Sequence, residues 1–483
     1  MRRPLLPLAA LLALAAASAG WWNYRRPAPP PERLLLLDPL PGAGLDGATA
    51  KSLGSLILDE LELRSALAVT TLPRLPEPFQ PQGALLVVRP WAAREGDRLR
   101  LSLDWAEMGP GRPGAWHTAA LPLTEPGDAI ESAVEALPIT LSPRDPALLP
   151  AGTEAFWGLL NADQAIHSNL DLDEAEALAE RLAAAQPRCA ALQATVAHLD
   201  TIRILQDPHP LDGRVDLALA AAQQALRLEP GYPRALRFAA RLLSDEGHQV
   251  QALEELADGL RRHPHSMNLL FALDYAARTA GLMDIALGAR ARINEFWAGA
   301  PERPTAGFAY LYAGQIDAFE ASFRPQPGTP LDGFTEFNLG YADLLRGHGG
   351  AAAPHFRAAE QDTATEAHFR ALAKVFRFQI EGKTADAQAA LDVLDRSRVG
   401  LQVPDGEFTF TMAEAAAFLG EEGRAMDLAE RAFSQGFTCS SWYRASPFLA
   451  RLQPLPRWRA ILQHVDERRI RVAGEWRPED FGL

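Results

Sequence analysis

Gly42-Ala43-Gly44-Leu45-Asp46-Gly47 is the first stretch of this 483-residue chain whose spacing could do chemistry. As G-x-G-x-x-G after a strand and before a helix, it would cradle a dinucleotide pyrophosphate on backbone N–H groups. Two features oppose that use. Pro39 and Pro41 stand where the motif needs a tight turn, and no acidic residue ends the next strand, Ala66 to Leu72, to hold a ribose hydroxyl. Gly47 to Ser52 lacks the spacing of a phosphate loop. The stretch reads as a flexible loop, and no cofactor is expected.

Other reactive residue types are scattered. His263 and His265 flank Pro264, and His-x-His can ligate a metal, but no third ligand is placed near them in sequence, so they read as a surface turn. His355 and His368 fall on helical segments and are expected to be packed or solvated. Asp59-Glu60-Glu62 and Glu421-Glu422 read as solvated helix faces; an acid–base pair needs two carboxyls in different buried surroundings. Neither H-E-x-x-H, G-x-S-x-G nor a Walker A pattern occurs. Cys189 and Cys439 make no C-x-x-C pair and are expected to be separate buried thiols. The expectation is a non-enzymatic chain with no catalytic or metal-ligating set.

Charge points the same way. Against 47 Lys+Arg stand 61 Asp+Glu, a formal net charge of −14, and a diffuse negative field repels phosphate backbones. Nucleic acid is therefore not an expected partner.

The elements that position these residues fall into four segments. Residues 1–31 begin with Met1-Arg2-Arg3 and an uncharged apolar run from Pro4 to Trp22, long enough to span a bilayer. Ala17-Ser18-Ala19 before Gly20 also fits a signal-peptidase site. Trp21, Trp22 and Tyr24 look like an interfacial anchor, and Pro27 to Pro31 like a stiff spacer. The reading is a single-pass inner-membrane protein with its body in the periplasm, or, if the segment is cleaved, a periplasmic one.

Residues 32–145 show mixed periodicity. Leu34–Leu37 is a continuous apolar run, as in a strand buried on both faces, and Ala48–Leu63 carries helical spacing. Ala66–Leu72 and Gly83–Pro90 read as strands. Arg98–Trp105 alternates strictly and forms a hairpin with the strand before it, with a further strand near Trp116–Leu123 and a helix over Asp128–Leu137. The order strand, loop and helix ending in DELELRSALAVTTLP, then GALLVVRPWAAREGDRLRLSLDWAE, resembles the TolB-N-like domain. In that family the domain precedes helical repeats in bacterial membrane-spanning transcription regulators, receptor kinases and cyclases.

Residues 146–465 carry a period. Ala218, Ala252 and Ala286 are 34 apart, as are Pro230 and Pro264. This is the tetratricopeptide (TPR) spacing: a small residue lets the two helices of a hairpin approach, and proline ends the second helix. Ala175 to Pro187, Leu339-Gly340 with Ala352, Ala387 and Ala425 fit further units. The expected fold is mainly α: about six or seven hairpins in a TPR-type solenoid, first helices on the concave side, after a small α/β domain and an N-terminal membrane or signal helix. Residues 300–333, rich in proline, are expected to form a bend. Phe271, Phe308, Tyr310 and Tyr312 are expected in hairpin cores, the alternative being that some of them line a groove. Asn268 and Asn338 do not form a repeated clamp with neighbouring basic residues.

Gly436 to Trp458 resembles the end of the repeat arrays in the same regulators and kinases, and residues 466–483 read as a tail. No kinase, cyclase or winged-helix domain precedes the anchor, so the effector half of that family is expected to be absent. These readings imply a scaffold of the bacterial cell envelope that holds a protein partner in a TPR groove. The alternative is a ligand-sensing subunit that regulates a membrane signalling or transcription-control partner.

Overall fold

The computed structural model describes residues 33–72, 74–75, 84–109, 114–143, 148–167, 172–206, 213–296, 307–324, 331–399, 401, 405–474 and 476–483. The apolar run at residues 4–22 and the spacer lie outside them, as do residues 207–212, which include Pro208 and Pro210. Among the described residues no helix is long and apolar enough to cross a membrane.

Strands β1 (Arg33–Leu37), β3 (Ala68–Leu72), β4 (Leu85–Glu95), β5 (Arg98–Met108) and β6 (His117–Ala120) form a sheet in the order β3-β1-β4-β5-β6. β1 runs parallel to β3 and β4, and β4 pairs antiparallel with β5 from Leu85↔Met108 to Glu95↔Arg98. The period of two sends Leu34, Leu36, Leu86 and Val88 to one face, against Leu53 and Ile57 of α1 (Gly47–Arg64) and Ile130 of α2 (Pro126–Glu135). Leu35, Leu37, Leu85 and Val87 point the other way, into the helical array. That second cover is why the Leu34–Leu37 run is apolar throughout.

The glycine motif has a structural use. β2 (Leu40–Pro41) pairs with the far end of β4, the Gly42 N–H donates to the Ala92 carbonyl at 2.7 Å, and the Arg94 N–H to the Ala43 carbonyl at 2.9 Å. A Cβ at Gly42 would lie 2.6 Å from Trp91 Cζ2, and Gly44 sits at φ +75°. The expected flexible loop is thus pinned along β4. The N-terminus of α1, where a phosphate would sit, is capped by the Asp46 carboxylate, which accepts the Thr49 N–H at 2.7 Å.

Helical hairpins follow: α3/α4 (Thr153–His167, Leu172–Ala185), α5/α6 (Ala190–Gln206, Arg214–Leu228), α7/α8 (Pro233–Asp245, Gln249–Arg262) and α9/α10 (Met267–Thr279, Met283–Phe296). Next come α11/α12 (Phe308–Tyr312, Ile316–Phe323), α13/α14 (Gly333–Leu345, Gly349–Gln361), α15/α16 (Thr384–Arg398 as its second helix, Ala367–Ile380 as its first) and α17/α18 (Gly406–Phe418, Glu422–Ser434). Helices α19 (Ser440–Ala445) and α20 (Pro456–Ala473) close the chain. The expected bend at 300–333 is, over its described residues, a short hairpin, α11/α12, held by Phe308, Phe319 and Phe323 packed edge to face.

The turn inside six of these hairpins repeats one device. Gly247, Gly281, Gly314, Gly347, Gly382 and Gly420 all have φ between 74° and 84°. In each, the next residue's N–H returns to the carbonyl five positions earlier, as His348 does to Asp343 at 2.9 Å and Lys383 to Phe378 at 2.8 Å. This is the left-handed glycine stop that satisfies the last carbonyls of a helix.

The array does not stay open. The Thr438 N–H donates to the Thr279 carbonyl at 2.7 Å, Gln249 Nε2 to the Gly436 carbonyl at 2.5 Å, and Arg468 Nη2 to the Gly247 carbonyl at 2.5 Å. The last helices thereby pack onto α7–α10. The segment expected to be a tail also folds back: Phe481 is buried with Val472 in the core shared by the sheet and α8–α10.

Candidate ligand channel

The concave side of the array encloses a cavity of about 750 Å³. Its walls come mainly from first helices: Thr201 of α5, Arg241 of α7, Tyr275 of α9, Phe337 of α13, Phe369 of α15 and Phe408 of α17. This follows from the small residues on the second helices. Ala218, Ala252, Ala286, Ala352, Ala387 and Ala425 are each fully buried on α6, α8, α10, α14, α16 and α18, letting each second helix lie close on its first. Gly340 on α13 does the converse, since a Cβ there would stand 3.0 Å from His355 Cβ and 3.2 Å from the Ala352 carbonyl. Leu339 packs beside it, largely buried, and Pro230 and Pro264 are exposed just past the ends of α6 and α8.

Part of the charge in the cavity wall is arranged in pairs, while Asp332 and Asp362 accept from the Thr335 and Gly333 N–H groups, each at 2.7 Å. Arg278 donates through Nε and Nη2 to both oxygens of Glu407, at 2.8 and 3.1 Å, and through Nη1 to Asp274 at 2.7 Å. Burial alone would lower the pKa of the guanidinium, but Glu407 and Asp274 outweigh it and hold it above the usual value. Burial pushes the Asp274 carboxyl up to about 6 in spite of Arg278. Arg241 binds Asp245 at 2.7 Å and Asp405 at 2.9 Å, with its guanidinium 3.8 Å from the centre of the Tyr275 ring. Asp405 is half-buried, yet Arg241 and Arg398 hold its pKa below the ordinary value. These pairs join α7 and α9 to the start of α17, so they form part of the closure.

Several residues sit elsewhere than the sequence suggested. Asp59, Glu60 and Glu62 are not on a solvated face: they are 2%, 0% and 3% exposed. α1 carries them into the helical array, where Tyr232 Oη donates to Asp59 at 2.6 Å. Ser266 Oγ and Asn268 Nδ2 each donate to Glu62 at 2.8 Å. Glu60 faces Arg64 at 3.5 Å. Burial raises the Asp59 carboxyl to about 7. Their role is to join two parts of the chain; sequence periodicity alone could not show a cover arriving from 173 to 206 residues away. Asn268 does have a basic neighbour, since it accepts from Arg237 Nη1 at 2.9 Å. Phe271 and Phe308 line the cavity, Tyr312 is in the aromatic core, and Tyr310 is half-buried and accepts from Asn294 at 3.1 Å. Asn338 turns back onto its own helix, donating to the Phe334 carbonyl at 2.8 Å.

The remaining titratable residues are dispersed. His263 and His265 are half-buried in the α8–α9 turn, where His265 Nδ1 faces Arg292 at 3.3 Å, and His355 Nδ1 meets Glu336 at 2.5 Å. Glu421 receives Arg424 at 3.2 Å at the start of α18, and Glu422 is exposed. Glu176, Glu180 and Asp200 come close enough to share a cation, but Arg214 and Arg203 reach into that cluster, Arg214 to Asp200 at 2.8 Å. Both cysteines are free and buried, Cys189 against the Leu148 carbonyl and Cys439 near Ser441. Burial raises each thiol to about 11, away from thiolate chemistry.

No family model matches the chain, and no curated protein matches it. Solved structures of helical-repeat proteins do. The APC/C hetero-tetramer Cut9–Hcn1 aligns over 70% of this chain and 77% of its own, at 11% identity and a TM-score of 0.35. A tetratricopeptide repeat protein from Parabacteroides merdae aligns over 65% and 100%, at 13% identity and 0.27. A Rap protein complexed with competence and sporulation factor aligns over 73% and 93%, at 11% identity and 0.33. Superpositions this loose transfer neither partner nor activity. The repeat architecture rests instead on the helix pairs, their buried alanines and their glycine turns.

Proposed function

We propose that the chain is a non-enzymatic binding scaffold of the bacterial cell envelope, holding a protein partner by a segment that enters the concave side of its TPR-type array. The observation that carries this reading is the wall of the cavity. Aromatic faces from α9, α13, α15 and α17 share it with guanidinium groups from α7, α9 and α16, and Tyr275, Tyr341 and the arginines are of the types enriched in binding hot spots. The test is a photo-crosslinking amino acid placed at Phe334 in the wall, or at Leu217, 63% exposed on α6, in cells of the native host. One partner captured from position 334 and not from 217 supports the scaffold; capture from both alike, or from neither, defeats it.

A second reading is favoured by one specific feature, the closure of α17–α20 onto α7–α10. A groove closed in this way encloses a ligand and couples its presence to the packing of distant helices. The chain would then be a sensing subunit, reporting occupancy to a membrane regulator. Hydrogen exchange at Thr438 and Gly436, with and without a bound ligand, tests it: unchanged protection in both states would rule the coupling out.

A further inference from the structure

Arg398 stands outside the ion pairs of the channel, in a wall that also carries Asp332, Asp362 and Glu366. Arg398, at the C-terminal end of α16, lines the cavity and is 8% exposed. Its guanidinium lies 4.4 Å from the centre of the Phe408 ring, and its Nε has no hydrogen-bond partner. Among the described residues no carboxylate comes within ion-pair distance of it. Asp405, the acid that influences it most, already accepts from Arg241 at 2.9 Å and from the Phe408 N–H at 3.1 Å. Burial accordingly draws the Arg398 pKa down to about 10. His368 adds no negative charge: its ring meets Phe408 edge-on at 4.7 Å, and burial lowers its pKa to about 4, so it is neutral.

An unpaired buried cation is costly, and a protein that keeps one has a use for an anion beside it. The surroundings define the rest of that anion. Phe334 stands 4.9 Å from Phe369, and Phe369 5.3 Å from Phe408, both edge to face, making an apolar wall next to the guanidinium. The volume, about 750 Å³, lies within the range of roughly 300–1,000 Å³ typical of small-molecule pockets.

We propose that the channel binds a small organic carboxylate with a flat apolar body, the carboxylate against Arg398 and the body against Phe334, Phe369 and Phe408. This rests on the sensing reading and names its ligand class. The scaffold reading stands or falls separately, by crosslinking.

The experiment is calorimetric titration of the full-length protein with phenylacetate, its neutral isostere phenylacetamide, and a tetrapeptide ending in phenylalanine. Phenylacetate is expected to bind at least about tenfold more tightly than phenylacetamide. Arg398→Met is expected to abolish that preference while leaving the unliganded melting temperature unchanged or higher, and Arg398→Lys to keep part of it. A structural arginine would instead lower the melting temperature when removed. The proposal is overturned if the acid and amide bind alike, if no probe binds, or if the tetrapeptide binds and phenylacetate does not. The comparison of acid with amide on the wild-type protein decides the matter even where a variant fails to fold.

Discussion

Arg278 on α9 and Glu407 on α17, 129 residues apart, face each other fork to fork, with Nε–Oε1 at 2.8 Å and Nη2–Oε2 at 3.1 Å. The pair is buried, with side chains 5% and 11% exposed, and Asp274 shares the same guanidinium. Removing either member leaves a buried charge without its fork partner, whereas removing both relieves that mismatch and leaves Asp274 as the remaining carboxylate of the group. Glu407→Leu is therefore expected to destabilise the protein by about 3–5 kcal/mol, and the double variant with Arg278→Leu by clearly less than the sum. Urea unfolding of the four proteins of the cycle measures this. Strict additivity would mean that the pair does not hold the closure.

Gly436 makes the same closure through its backbone. It has φ +92°, and a Cβ there would lie 2.3 Å from the Ser244 carbonyl oxygen. Gly420 has φ +83° with open space around the position of its Cβ. Both substitutions to alanine incur the left-handed backbone cost of roughly 1–2 kcal/mol, but only Gly436→Ala adds a clash across the array. The melting temperature should fall further for Gly436→Ala, and amide exchange at Thr438 should rise in that variant alone. Equal losses would remove Gly436 from the closure.

Glu414 gives the fold a pH dependence of known sign. Its carboxyl on α17 is fully buried and accepts from the Tyr341 hydroxyl, and burial raises its pKa from 4.5 to about 7. Between those two values the unfolded chain has released this proton and the folded chain has kept it. Stability from this group therefore falls as pH rises from about 4.5 to about 7 and does not recover above. Glu414→Gln should match the wild type in acid and exceed it above neutrality, by an amount on the order of 1–3 kcal/mol. Thermal melts across that range test it, and a variant weaker than wild type at alkaline pH contradicts it.

The hairpins were legible because their determinants are local. A small residue at Ala218, Ala252 and Ala286 and a proline at Pro230 and Pro264 act within one unit, so their spacing of 34 shows in the chain. The glycines from Gly247 to Gly420 mark the turns at steps of 33 to 38 residues, a looser form of the same period. Strands β1, β3, β4 and β5 were legible for a similar reason, their alternation and the Gly96 turn being near neighbours. What was hidden depends on contacts between distant segments. Glu62 reads as one more acid on a charged helix until Ser266 and Asn268 are brought to it, and Arg398 as one more surface cation until α16 places it over Phe408. The groove itself was expected; its closure by Asp405, Glu407 and Gly436 was not, because nothing in a repeat's own pattern states where its last unit returns.

The most consequential of those distant contacts lies between the sheet and the array. Leu35, Leu37, Leu85 and Val87 share one core with Leu253, Leu256, Leu270 and Phe481, while the opposite sheet face shares another with α1 to α7. Each of these leucines and valines is at most 7% exposed, and a fully buried side chain of this kind contributes about 1.5–3 kcal/mol relative to leaving it in water. Asp59, Glu62 and Tyr232 add hydrogen bonds that no partner within their own segment replaces. Two consequences follow for unfolding. The protein should melt in a single transition that takes sheet and array together, by calorimetry and by near-ultraviolet dichroism alike. A chain starting at residue 146 should lose that transition or bind a hydrophobic dye in its native buffer, since it exposes the face of α8 and α9 that the sheet covers. Two well-separated transitions in the whole protein, or a soluble truncated array that melts cooperatively at the original temperature, would show that the shared core contributes little.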